Sequence, residues 1–151
     1  ANMILVVLDN STTAMTGHQP HPGTGRTVMG EIVQKINIEQ VLRGIGVTEI
    51  ETINPLELEA SVSCVKRMAE KSGVRAIIFK APCIAVTKPK APLHVDQDSC
   101  IGCKKCIRDL GCPAIVMNDG KIRIDASICT GCHLCSQVCP VCAIAGGDDH
   151  E

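Results

Sequence analysis

The chain has 151 residues, room for one ordinary domain or two small ones, with a formal net charge of −1. That balance excludes a basic nucleic-acid binder, and the early apolar run MILVVL is six residues long, far short of the roughly 20 that a bilayer-spanning helix needs and without the flanks of a secretory signal. The expectation is a soluble, cytoplasmic protein with no membrane or nucleic-acid partner, whose core is built from Val, Ile, Leu and Met because Phe79 is the lone aromatic residue.

In chain order, MILVVL (3–8) and VRAIIFKA (74–81) are nearly continuous apolar runs, the pattern of parallel strands covered on both faces. Between them VTEIETI (47–53) alternates and reads as a less enclosed strand. Asn37 and Gln40 frame a short helix near 38–44. Asn54, Pro55 and Glu57 open a longer helix that Gly73 closes, and Leu58, Val62, Val65 and Ala69 recur along it as its buried stripe. Residues 1–86 are therefore expected to form an α/β segment with a partial parallel sheet. TKPKAP (87–92) reads as a semi-rigid linker.

From residue 93 to 151 the texture changes. VDQDSCIGCKKC (95–106) and IDASICTGCHLC (124–135) match at an offset of 29 residues, an internal duplication, and AIVMNDGKIRID between them reads as two strands turning at Asn118, Asp119 and Gly120. Eleven cysteines are present, nine of them between Cys100 and Cys142. Without export signals, that density points to metal coordination in a reducing compartment and away from disulfides.

Cys100, Cys103 and Cys106 stand two residues apart and are followed by Cys112-Pro113; Cys129, Cys132 and Cys135 repeat the spacing and are followed by Cys139-Pro140. Two-residue gaps let a tight loop place three thiolates around one face of an iron–sulfur cubane and leave the fourth iron to a distant ligand. The run resembles that of bacterial two-cluster ferredoxins, in which the fourth cysteine serves the other cluster. By that resemblance one [4Fe-4S] cluster takes Cys100, Cys103, Cys106 and Cys139, and the other takes Cys129, Cys132, Cys135 and Cys112. Gly102 and Gly131 would let backbone approach the sulfurs. The competing reading is a pair of structural zinc sites, which also use C-x2-C pairs but do not account for the third cysteines, the two Cys-Pro pairs or the duplication. Five residues, IRDLG, separate Cys106 from Cys112 where the ferredoxin pattern has three. Cys64 and Cys83 read as small apolar fillers and Cys142 as a buried thiol.

The apolar start of the chain runs into LDNSTTAMTGHQPHPG (8–23), a polar loop on the end of a strand, where α/β proteins place ligands. This stretch resembles the end of the thiamine diphosphate motif of 2-oxoacid:ferredoxin oxidoreductases, and the order of thiamine segment then two-cluster module is similar to the C-terminal part of the alpha subunit of the indolepyruvate:ferredoxin oxidoreductase family. The resemblance implies two [4Fe-4S] clusters, thiamine diphosphate and Mg²⁺. It implies that Asn10 offers its side-chain oxygen and Thr12 its main-chain carbonyl to Mg²⁺, that Asp9 orients the turn, and that Met15, Thr16 and Gly17 lie toward the thiazolium. The family's acidic metal ligand stands well upstream of the asparagine, and only nine residues precede Asn10 here. The expected site is thus completed by the remainder of the alpha subunit or by another chain.

The implied activity is thiamine-dependent oxidative decarboxylation of an arylpyruvate to an acyl-coenzyme A and CO2, with a beta subunit as partner and an external ferredoxin as electron acceptor. The alternatives are a stand-alone two-cluster electron carrier with an α/β docking module, and a structural zinc protein. His18 and His21 are open between phosphate contact, proton transfer and simple solvation.

Overall fold

The computed structural model describes residues 1–146, which fall into two units, Ala1–Lys88 and a second from Pro89 onward.

The first unit is a three-stranded parallel sheet, β1 (Met3–Asp9), β2 (Glu49–Ile53) and β3 (Val74–Lys80), in the order β1-β3-β2. Two helices make the crossovers, α1 (Ile38–Gly44) and α2 (Leu58–Glu70). Parallel neighbours need such long connections. Asn37 caps α1, its side-chain oxygen accepting the Gln40 amide at 3.2 Å. Asn54 starts the turn into α2 by accepting the Leu56 amide at 3.0 Å.

The central strand β3 is covered on both faces. Ala76 and Ile78 pack against Leu42 of α1 and Val47, while Ile77 packs against Cys64 and Met68 of α2. Arg75 is 4 % exposed, and its guanidinium donates to the carbonyls of Met68 at 3.0 Å and Gly73 at 2.6 Å and to the Asn2 side chain. It thereby ties the end of α2 and the start of β1 to β3.

Two sequence expectations fail here. β1 is as apolar as β3, yet it is an edge strand with Met3, Val6 and Leu8 exposed, because a continuous apolar run does not say how many neighbours a strand has. The buried stripe of α2 is Ser61, Cys64 and Met68; Val62, Val65 and Ala69 face outward. Both stripes have helical spacing, and the one against the sheet is the one whose Cys64 and Met68 pack on Ile77.

The second unit is a two-fold repeat. β4 (Leu93–Val95) pairs antiparallel with β7 (Ile144–Gly146), and β5 (Ile115–Asn118) pairs antiparallel with β6 (Lys121–Ile124). Asp119 and Gly120, both at positive φ, make the tight turn between β5 and β6 that the sequence calls for. Each repeat carries one short helix, α3 (Lys105–Leu110) and α4 (Leu134–Val138). The repeats exchange backbone bonds: the Asp96 amide donates to Ala143 and the Asp125 amide to Ala114, both at 2.8 Å. Each copy is thus stitched to the other's end.

Among the described residues no helix is long and apolar enough to cross a membrane.

Candidate functional site

Each cysteine loop is launched by an aspartate at the same place in the duplication. Asp96 accepts the Asp98 amide at 3.0 Å and the Ser99 hydroxyl at 2.5 Å, and its carbonyl accepts the Cys100 amide at 3.0 Å. Asp125 accepts the Ser127 amide and hydroxyl at 2.9 and 2.6 Å, and its carbonyl accepts the Cys129 amide at 3.0 Å. These bonds hold both carboxyls below the usual aspartate range, chiefly through the serine hydroxyls. Sequence reading missed both residues, although their match at the repeat offset was on the page.

The loops then pass through Gly102 and Gly131, at φ +64° and +68°, and through Lys104 and His133, non-glycine residues in the left-handed region that turn the chain into α3 and α4. Cys106 and Cys135 sit in the first turn of those helices and are buried.

The cysteines gather in two groups, each drawing on both repeats. Cys100, Cys103, Cys106 and Cys139 line one narrow cavity, together with Ile101 and Pro140. The Cys106 thiol is pushed up by burial first, and by its neighbours Cys103 and Cys139. In the other group burial pushes the Cys135 thiol up to about 11, and Cys132, Cys129 and Cys112 add to the rise. Grouped sulfurs of this kind are a donor set for a thiolate-bound metal centre, whose binding releases the thiol protons. The Ala143 amide donates to the Cys139 sulfur at 3.3 Å, a contact of the type that tunes a bound cluster. Among the described residues no three His, Cys, Asp or Glu side chains converge on the point a single ion would need. The remaining cysteines divide: Cys64 is fully buried in the first unit's core, Cys83 is half-buried, and Cys142 is exposed at a positive φ, contrary to the expectation of a buried thiol.

In the first unit, the loop after β1 is a chain of side-chain-closed turns. Asp9 accepts the Ser11 amide at 3.0 Å and Asn10 accepts the Thr12 amide at 3.2 Å, with Ser11 at φ +62°. The Asn10 carbonyl in turn accepts the Cys83 amide at 2.9 Å, which fixes the turn to the strand end of β3. Lys80 lies 3.7 Å from the Asp9 carboxylate. Thr12 is buried, Met15 is fully exposed, and Thr16 and Gly17 complete a short 3-10 turn that the Thr13 hydroxyl steadies by donating to Gln19 at 2.9 Å.

Beside the turn, at the carboxyl ends of the strands, opens a cleft of about 310 Å³ lined by Asp9, His21, Lys35, Asn37, Thr52 and Lys80 among others. This is the crevice where open parallel sheets take ligands. Lys35 and Lys80 bring cationic groups to it, and no motif announced them. His21 spends its Nδ1 on the Gly23 amide at 3.1 Å, a structural use, while His18 lies exposed at φ +61°.

Comparison with known proteins agrees with both halves. Residues 93–145 match the family model of the 4Fe-4S dicluster domain, and residues 1–79 that of the thiamine pyrophosphate enzyme C-terminal TPP-binding domain. Iron–sulfur clusters and thiamine diphosphate are the cofactors of these two domains. The chain is 45 % identical over 143 residues to a protein of Methanothermobacter thermautotrophicus named indolepyruvate oxidoreductase subunit IorA, covering 93 % of this chain and 23 % of the relative. Proteins of the same name from Methanothermobacter marburgensis and Archaeoglobus fulgidus are 42 % and 38 % identical, covering 93 % and 95 % of this chain and 23 % and 24 % of theirs. The chain thus spans about a quarter of the length of these relatives. No solved structure matches it. With more than half its length on the thiamine model, the chain belongs to the thiamine pyrophosphate enzyme family, as a C-terminal TPP-binding domain followed by a 4Fe-4S dicluster domain.

Proposed function

We infer that this chain is the electron-collecting part of a 2-oxoacid:ferredoxin oxidoreductase of the indolepyruvate type, working in the cytoplasm with a beta subunit, an arylpyruvate, coenzyme A and an external ferredoxin. The observation that carries the reading is the joining, in one chain, of a thiamine-type turn at the carboxyl end of a parallel strand to two cysteine groups that each borrow one thiol from the other repeat.

The donor chemistry fits both groups. Cys100, Cys103, Cys106 and Cys139 are assigned to the first cluster, and Cys129, Cys132, Cys135 and Cys112 to the second; the crossed backbone bonds of Asp96 and Asp125 support this pairing. At the turn, the Asn10 amide oxygen carries one hydrogen bond and keeps a second lone pair for Mg²⁺. The Thr12 carbonyl is assigned as the other ligand. Asp9 holds the turn closed and Lys80 offsets its charge. Met15, Thr16 and Gly17 are assigned to the thiazolium side. When bound, thiamine diphosphate supplies an electron sink for decarboxylation of a 2-oxoacid, and the clusters carry electrons singly. The acidic metal ligand and the group that activates the aminopyrimidine are assigned to the remainder of the alpha subunit or to another chain.

The reading is tested by iron and sulfide analysis with EPR of the dithionite-reduced protein. About eight irons per chain with coupled spectra are expected, as two cubanes require. In Cys139→Ser the spectrum of the cluster built mainly by the first repeat should be altered or lost, and in Cys112→Ser that of the second. Harm confined to each variant's own repeat would overturn the crossed assignment, and a colourless zinc protein would overturn the function.

A further inference from the structure

The two cysteine loops are alike in backbone and unlike at the surface. In the second repeat the Lys90 amide donates to the Thr130 carbonyl at 3.3 Å, and a Cβ on Gly131 would meet the Ala91 carbonyl oxygen at 2.6 Å, so residues 90 and 91 lie over this loop and bury Gly131. In the first repeat a Cβ on Gly102 would meet nothing within 4 Å, Ile101 is 66 % exposed, and Cys103 is exposed where its counterpart Cys132 is only partly so.

Charge divides the same way. Lys104, Lys105 and Arg108 follow the open loop, all exposed, against one carboxylate, Asp109, which lies 4.0 Å from Lys105. Their counterparts are His133, Leu134 and Gln137, and no Asp, Glu, Lys or Arg occurs between Asp125 and Gly146, so the charge at that loop is Lys90 of the covering segment against three cations at the open one. The chain as a whole is slightly anionic, so a local cationic rim is a departure from its background. A surface that combines an exposed sulfur, an apolar neighbour and a cationic rim suits a partner that must come close to one atom and is steered there by negative charge.

We propose that the open loop of the first repeat is the docking face for an acidic one-electron redox protein of the iron–sulfur class. Ile101 and Cys103 form the contact centre; Lys104, Lys105 and Arg108 pair with the partner's carboxylates. One electron leaves the reduced chain at this face and the partner's iron–sulfur centre gains it, with no bond made or broken and no proton moved. This inference rests on the cysteine assignment above.

The test uses the full, cluster-loaded chain and an acidic two-cluster ferredoxin, with affinity measured by titration calorimetry at low salt and at physiological ionic strength, where screening sets in. Lys105→Glu with Arg108→Glu should weaken binding by about tenfold or more at low salt and flatten its salt dependence. Gln137→Glu, the matching position of the covered repeat, should change affinity by less than about twofold. The charge-neutral pair Lys105→Gln with Arg108→Gln should fall between, which guards against a folding defect in the reversed pair. Unchanged affinity in both double variants, an equal loss in Gln137→Glu, or tighter binding of a single-stranded RNA than of the ferredoxin would each overturn the docking face. Iron content and EPR on the same samples separate the two readings. Two clusters with unaltered binding overturn the docking face alone, whereas fewer than two clusters in the unmutated chain overturn the cysteine assignment and the docking face with it.

Discussion

The two units of this chain fill their interiors differently. The first has a layered apolar core, with β3 packed by α1 on one face and by α2 on the other. The second buries Leu93, Ile115, Ile122, Val138 and Ile144, and shares that interior with Cys106 and Cys135, whose burial pushes both thiols up. Apolar packing alone fills the first unit. In the second, apolar residues share the interior with gathered sulfurs, so cluster ligation is expected to add to what packing supplies.

The largest expected effect breaks this comparison directly. Stripping iron from the whole chain under chelator and oxidant should collapse amide dispersion for residues 93–146 and leave the amides of β1, β2 and β3 native-like in NMR spectra. A cluster-free second unit that keeps its dispersion would show that its apolar residues suffice. The converse variant, Ile77→Ala in the centre of β3, should cost about 3 kcal/mol of the first unit's stability in denaturant titration. The iron content and EPR spectrum of the second unit should not change, since Ile77 packs on Cys64 and Met68 alone among the fully buried residues.

How much of this was legible beforehand depended on the kind of signal. The helix at Asn37, the tight turn at Asp119-Gly120 and the cysteine spacing are local chemistry, read within a few residues, and the structure has them. The wrong face of α2 and the exposed β1 are matters of what lies opposite, which no short window contains. The candidate thiamine turn was legible through its Asp9 and Asn10 side chains, but Lys35 and Lys80 reach the same cleft only because the sheet brings their segments together. The pairing of β4 with β7, strands about fifty residues apart, was equally hidden.

A smaller prediction sharpens the contrast inside the second unit. Gly131→Ala pushes a methyl against the Ala91 carbonyl, a backbone atom that cannot swing aside, in addition to the strain of its φ. Gly102→Ala carries only the φ strain, about 1 kcal/mol. Thermal bleaching of the cluster absorbance should therefore start at a clearly lower temperature in the first variant than in the second. Equal melting would mean that residues 90 and 91 do not hold the loop.

The smallest effect concerns charge on the first unit. Arg67 donates to Glu51 at 2.6 Å and holds that carboxyl below the usual glutamate range, with weaker help from the Cys64 thiol. Because the folded-state value is depressed, the pair's contribution is complete above the unfolded carboxyl's pKa and is lost as pH falls through the folded one. The loss therefore belongs to acid pH, below the ordinary glutamate range, and not to the neutral region. Since half of the Arg67 side chain meets solvent, salt should shrink the effect. Glu51→Gln should lower the denaturant midpoint slightly at neutral pH, and its difference from the parent chain should vanish in acid, as midpoints at several pH values will show. An equal acid dependence in Glu51→Gln would assign it elsewhere, and the first candidates would then be Asp96 and Asp125 of the second unit, whose carboxyls are also held low.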